Sequence, residues 1–221
     1  MIDVENYTAE ITAKLRAKFG ERLMYVGLQG SYLRGEATDT SDVDIMVVLD
    51  RLSVDDLDGY RAIVESLPHP DLSCGFICGA DDLARWNPLE ICHLLHTTRD
   101  CFGSLDKLVP EYDERDLRNF VKMSVNNLYH ELCHSRIHAD RDALARRLPA
   151  LYKGTFFVLQ NLHYLRGGEF ARSKKQLLSM LDGCDRELLD RAMRLSAGEV
   201  FDFEDNYRLI FDWCRDTMQT L

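Results

Sequence analysis

The sequence predicts an α+β protein, with a small mixed β-sheet and flanking helices over residues 1–110 and an α-helical bundle over residues 111–221. Three observations predict this. Short β-branched runs bounded by glycine and proline turns fall in the first half, the pattern of strands. Beyond Pro110 apolar residues recur at helical spacing with few breakers, the pattern of a bundle. A chain of 221 residues that is 46% hydrophobic and 29% charged can build one large core or two small ones, which excludes a disordered or fibrous protein.

The elements follow in order. Val4, Tyr7, Ile11, Leu15 and Phe19 make a helical stripe over residues 3–19 that Gly20 ends. Residues 23–28 read as a strand, Gln29 to Gly35 as a glycine-bounded turn into a short helix, and residues 42–49 as a second strand. A helix over 55–67 is stopped by Pro68 and Pro70, a third strand covers 72–78, and a short helix covers 81–86. Residues 87–110 are irregular, broken by Gly103 and Pro110. Helices are expected over 115–139, 143–165, 173–181, 186–195 and 203–220.

Charge and cysteine usage narrow the function classes. With 37 acidic and 27 basic side chains the formal charge is −10, so the surface repels polyanions and argues against broad nucleic-acid binding, while leaving room for a local phosphate pocket. No stretch approaches the roughly 18 apolar residues of a spanning helix. The start Met1-Ile-Asp-Val-Glu5 lacks the basic and apolar regions of a signal peptide, so a cytoplasmic location without membrane partners is expected. The seven cysteines are then expected as reduced thiols, with Cys74 and Cys78 packed in the core rather than on a metal.

Chemistry concentrates around the second strand. Side chains alternate along a strand, so Asp42 and Asp44 point one way while Val43, Ile45 and Val47 point into a core. Two carboxylates in one place repel, which fits either a solvated strand end or a divalent cation; Mg²⁺ suits an all-oxygen site completed by substrate phosphates. Upstream, Gly30-Ser31 opens a short helix, where free N–H groups favour an anion, although Gly-Ser by itself is also a plain turn. Arg34, one turn on, either faces the same anion or is a solvated helix arginine.

Leu28-Gln-Gly-Ser-Tyr-Leu-Arg-Gly-Glu-Ala-Thr-Asp-Thr-Ser-Asp-Val-Asp-Ile-Met-Val48 resembles the signature of the nucleotidyltransferase superfamily related to DNA polymerase β, in the branch of kanamycin nucleotidyltransferase and the minimal nucleotidyltransferases. The match is Gly-Ser, ten residues, then Asp-hydrophobic-Asp-hydrophobic. The resemblance implies transfer of a nucleoside monophosphate from a nucleoside triphosphate, ATP by default, to a hydroxyl of a small molecule or protein, with release of pyrophosphate. It implies that Gly30 and Ser31 hold the β- and γ-phosphates, that Asp42 and Asp44 bind one or two Mg²⁺ ions, and that the chain is a homodimer. The site is expected between the two halves.

The pattern also departs from the family. Members usually carry a third carboxylate on the next strand, but Asp71-Leu-Ser-Cys-Gly-Phe-Ile-Cys78 has no acid inside it. By alternation that acid is expected near Ser73 or Gly75, and Asp71 is either the available substitute as a metal ligand or a turn or strand-edge residue. Glu90 and Asp100 are the other acids of the irregular segment. By the resemblance His130 and Glu131 stand where such proteins present catalytic groups, with an exposed polar helix face as the alternative, and Lys153 is either a surface lysine or similar to a basic residue directed at the triphosphate. Trp86, Phe102 and Tyr129 are expected in the core, with an acceptor pocket as the alternative.

Two other functions compete. Loss of the third acid fits a nucleotide-binding regulatory or toxin–antitoxin partner protein that turns over weakly. His130-Glu-Leu-Cys-His134 also satisfies the His-Glu-x-x-His pattern of zinc proteases, with His138 continuing the same face, but the longer metzincin spacing is absent.

Overall fold

The computed structural model describes residues 1–221, which form two compact units, Met1–Tyr112 and Asp113–Leu221. In the first, helix α1 (Val4–Phe19) starts on Asp3, whose carboxylate accepts from the Asn6 amide, and ends at Gly20. Strand β1 (Leu23–Leu28) follows, then the five-residue α2 (Gly30–Arg34) and β2 (Val43–Leu49). Helix α3 (Val54–Glu65) is opened by a capping box between Ser53 and Asp56 and crosses over to β3 (Ser73–Gly79).

The short helix expected over 81–86 is α4 (Ala80–Leu83), and the segment expected to be irregular holds structure of its own: α5 (Pro88–His96) and the short strand β4 (Arg99–Phe102). Helix α5 had signals in the sequence. Asn87 caps it by accepting from the Leu89 amide, and Pro88 occupies the first helical position. Strand β4 had none, since Arg99, Asp100 and Cys101 are all exposed and its pairing with β1 alone makes it a strand.

The four strands lie in the order β3-β2-β1-β4, with β1 antiparallel to both β2 and β4 and β2 parallel to β3. The α+β expectation therefore holds, with a mixed sheet. One face packs Ile11, Leu15 and Phe19 of α1 and Ile63 of α3 against Val43, Ile45, Val47 and Leu49. The other carries Met46, Val48 and Cys78 beneath Leu83 and Leu105. Both faces of β2 are covered, and along it only Asp44 is not fully buried.

The second unit is helical throughout: α6 (Glu114–His138), α7 (Arg141–Leu165), α8 (Lys174–Met180), α9 (Gly183–Ser196) and α10 (Phe203–Thr220). Its core runs from Val121 and Leu132 through Tyr152, Phe156 and Leu159 to Leu188, Ile210 and Trp213. Tyr152 and Tyr207 keep their hydroxyls satisfied by donating to the Asn206 and Leu132 carbonyls, at 2.8 and 2.9 Å. No helix of either unit is long and apolar enough to cross a membrane.

Candidate nucleotide site

Asp44 is the second residue of β2 and the point on which the surrounding elements close. Its backbone carbonyl accepts from the Gln29 amide at 2.9 Å, which pins the start of α2 beside the strand. Gly30 follows at φ +70°, a left-handed conformation that costs glycine nothing. A Cβ built there would lie 1.8 Å from Asp44 Oδ2, so the backbone of Gly30 presses directly on the carboxylate. The Gln29 side chain does not cap α2; its amide donates to Thr98 Oγ1 at 2.8 Å instead. The first-turn N–H groups of α2, Ser31 among them, thus have no side-chain cap.

On the other side of Asp44 stands Cys74. The parallel register pairs Asp44 with Cys74 and Val43 with Ser73, so the thiol shares the carboxylate's face. This corrects two expectations. The residue that flanks the carboxylate is neither Ser73 nor Gly75, and Cys74 is exposed rather than packed in the core, while Cys78 is buried. Ser73 faces the opposite side, where it is hydrogen-bonded to the Tyr7 hydroxyl of α1. Gly75 also faces that side, and a Cβ on it would lie 2.0 Å from the Ile45 carbonyl oxygen.

The electrostatics bear out this contact. Burial pushes the Asp44 carboxyl above the ordinary aspartate value and the negative charge of Asp42 adds to the rise, whereas the Cys74 thiol, donating a hydrogen bond, and the Arg34 guanidinium oppose it. The Cys74 thiol is itself raised, by partial covering of its sulfur and then by the Asp44 charge. Asp42 precedes β2 by one residue and is exposed. Arg34 ends α2, paired with Glu36 at 3.1 Å, and close to it lies His93 of α5, which burial and then the Arg34 charge lower to about 4. His93 is therefore a neutral imidazole at pH 7 behind a guanidinium.

Gly30, Ser31, Arg34, Asp42 and Asp44 thus converge, joined by Cys74 and His93, which the sequence alone did not place there. Asp71 does not join them. It sits in a 3₁₀ turn over Pro70–Leu72, ahead of β3, whose pairing begins at Ser73. Glu90 accepts from the Trp86 indole at 2.5 Å and Asp100 from the Tyr25 hydroxyl at 2.7 Å, so both acids are already engaged. Trp86 packs edge-on against Phe76, Phe102 borders the α1 face of the sheet, and Tyr129 lies against Phe211.

His130, Glu131 and Lys153 belong to the second unit, on α6 and α7. His130 and Lys153 are exposed. Glu131 accepts from Ser135 Oγ at 2.8 Å and pairs with Arg147 at 2.7 Å. No three His, Cys, Asp or Glu side chains stand together as a metal cluster, and Glu131 of the His-Glu-x-x-His pattern is held by Ser135 and Arg147. Two carboxylates are nonetheless a fitting protein share of a Mg²⁺ site, because that ion keeps waters and takes phosphate oxygens as its remaining ligands. The Asp44 carboxyl, raised by burial and then by the neighbouring Asp42 charge, is in keeping with that fit, since a divalent cation offsets both the lost hydration and the repulsion.

Comparison with known proteins bears on the family of the first unit and on the fold. Residues 10–79 match the nucleotidyltransferase domain family, a span from α1 through β3 that contains every converging residue except His93. A curated sequence from Methanocaldococcus jannaschii, named as a candidate protein adenylyltransferase, is 35% identical over 60 residues, which are 27% of this chain and 41% of that relative. Over 97% of this chain and 99% of the other, the fold resembles the spectinomycin adenyltransferase of Enterococcus faecialis solved with ATP and spectinomycin, at a TM-score of 0.56 and 15% identity. A toxin–antitoxin structure with AMP-PNP aligns at a TM-score of only 0.34, over 62% of this chain and 95% of that one, at 18% identity.

Proposed function

We propose that this chain, whose residues 10–79 match the nucleotidyltransferase domain family, transfers the adenylyl group of ATP to a hydroxyl acceptor in a Mg²⁺-dependent reaction. One observation carries the proposal: the Asp44 carboxylate, beside Asp42, is seated against a glycine backbone at the uncapped start of α2. In the reaction the acceptor oxygen forms a bond to the α-phosphorus, the bond to the β-phosphate bridging oxygen breaks, pyrophosphate leaves, and the acceptor proton goes to a base. Asp42 and Asp44 would hold Mg²⁺, which supplies neutralisation of the developing phosphate charge. The Gly30 and Ser31 N–H groups and the Ser31 hydroxyl would hold the terminal phosphates, and Arg34 would add a positive charge beside them.

The resemblance offers His130 and Glu131 as the base. Glu131 is tied to Arg147 and Ser135, which favours His130 as the proton acceptor of the two. Lys153 is proposed as a further triphosphate contact on the resemblance alone. The acidic overall charge suits a cationic acceptor, and an aminocyclitol such as spectinomycin is the first small molecule to try, with protein hydroxyls second.

A second reading has its own observation. The place opposite Asp44 holds a thiol rather than an acid, which favours a protein that binds Mg·ATP and turns it over weakly. One experiment separates the two: pyrophosphate release from each of the four nucleoside triphosphates with Mg²⁺, against aminoglycosides, lincosamides and cell-extract proteins. Release by the wild type that vanishes in Asp42→Asn/Asp44→Asn establishes the transferase and identifies donor and acceptor class. Mg·ATP binding by calorimetry without release in any mixture establishes the binding protein. Light scattering on the same sample reads the homodimer that the resemblance implies.

A further inference from the structure

Helix α6 carries His130, His134 and His138 one turn apart, and all three are exposed. The ring centroids of His134 and His138 are 4.7 Å apart, with planes inclined at 49°, whereas His130 and His134 are 6.0 Å apart. Two imidazole nitrogens that share a first-row ion at its usual 2.0–2.1 Å bond length must lie roughly 3 Å from each other. Rings 4.7 Å apart reach that separation by small side-chain rotations, and rings 6.0 Å apart reach it less readily.

The surroundings favour a cation. His138 is the last residue of α6, where unpaired carbonyls and the negative helix end attract positive charge. The arginines of this stretch point their charge elsewhere: Arg136 and Arg141 share Glu204, each at 3.0 Å, and Arg147 holds Glu131. The turn carrying the pair is anchored by the buried Leu132 and Ser135, so the backbone beneath it is fixed. With Glu131 engaged, the His-Glu-x-x-His motif offers nitrogen donors and no glutamate free to activate water.

We propose that His134 and His138 form a two-nitrogen site for a borderline transition-metal ion of the Zn²⁺ class, separate from the Asp42–Asp44 carboxylates. Imidazole selects Zn²⁺, Ni²⁺ and Cu²⁺ over Mg²⁺ and Ca²⁺, so the ion at the nucleotide site does not compete. Two ligands leave coordination positions for water or for a donor brought by a partner.

The test is calorimetric titration of Zn²⁺ alone into the full chain after dialysis against chelator, without nucleotide. His134→Ala and His138→Ala are each expected to weaken binding about tenfold or more. His130→Ala is expected to weaken it by less than about threefold, and Asp42→Asn/Asp44→Asn to leave it unchanged. All three histidines are exposed, so circular dichroism of each variant should match the wild type. Zn²⁺ affinity that survives His134→Ala/His138→Ala intact would place the ion on a thiol and overturn the proposal, as would its loss in the aspartate variant.

Discussion

Gly30 and Gly35 bracket α2 at nearly the same backbone angle, φ +70° and +68°, and this pair isolates what the glycine at the carboxylate does. Alanine at either position pays the left-handed strain, about 1–2 kcal/mol, because Cβ crowds the following carbonyl. There the likeness ends. A Cβ at Gly35 meets nothing within 4 Å, while one at Gly30 lies 1.8 Å from Asp44 Oδ2, 2.6 Å from Cγ and 3.1 Å from Cβ. Rotation of a terminal oxygen alone cannot relieve three such contacts, so the carboxylate must leave its seat or the turn must back away.

The expected outcome is therefore a stability loss at both positions, larger at Gly30, and a binding loss at Gly30 alone. Urea denaturation should show Gly35→Ala destabilised by about 1–2 kcal/mol and Gly30→Ala by more. Calorimetry with Mg²⁺ and a non-hydrolysable ATP analogue should show Gly35→Ala near wild type and Gly30→Ala weakened at least about a hundredfold, equivalent to about 2.8 kcal/mol. Gly30→Ala with wild-type affinity, or Gly35→Ala with the same loss, would refute the dependence of the site on this contact.

Three other outcomes follow from the geometry. Cys74→Ser keeps a donor toward Asp44 and should preserve Mg·nucleotide affinity, Cys74→Ala should weaken it, and Cys74→Asp should add a bound Mn²⁺ per chain, read by electron paramagnetic resonance. His93, lowered to about 4, takes up its proton more readily when unfolded, so stability rises with pH between about 4 and 6.5; from pH 5 to pH 7 this amounts to about 2 kcal/mol by urea denaturation, and His93→Gln should remove it. Asp56, held below the ordinary aspartate value by Arg22 and then Ser53, gives stability that is present above pH 4 and lost as acid titrates it; Asp56→Asn should raise the pH of acid unfolding.

Much of the candidate site was legible before the structure, and the reason is locality. Gly30, Ser31, Asp42 and Asp44 sit within fifteen residues on one turn and one strand, where positive φ, a helix start and period-two alternation all leave marks in sequence. Cys74 was misread because its placement depends on the β2–β3 register, and a strand with covered faces carries apolar residues in both parities: Phe76 and Cys78 on one side, Ile77 on the other. A slip of one residue interchanges them. His93 was invisible for a different reason, since nothing local to α5 reveals the guanidinium beside it. Strand β4 shows the converse case, an element made by its neighbour rather than by its own composition.

The two contacts on Asp44 also differ in when a folding chain can make them. Gly30 reaches it across the antiparallel β1–β2 pair, fourteen residues away, whereas Cys74 arrives only after the α3 crossover has closed a parallel pair thirty residues away. Loop closure makes the second event the slower one. The Gly30 turn proposed to hold phosphate can therefore exist in a nascent chain before Asp44 acquires its hydrogen bond, and a nucleotide present during synthesis would meet a carboxylate seated on one side and still open on the other.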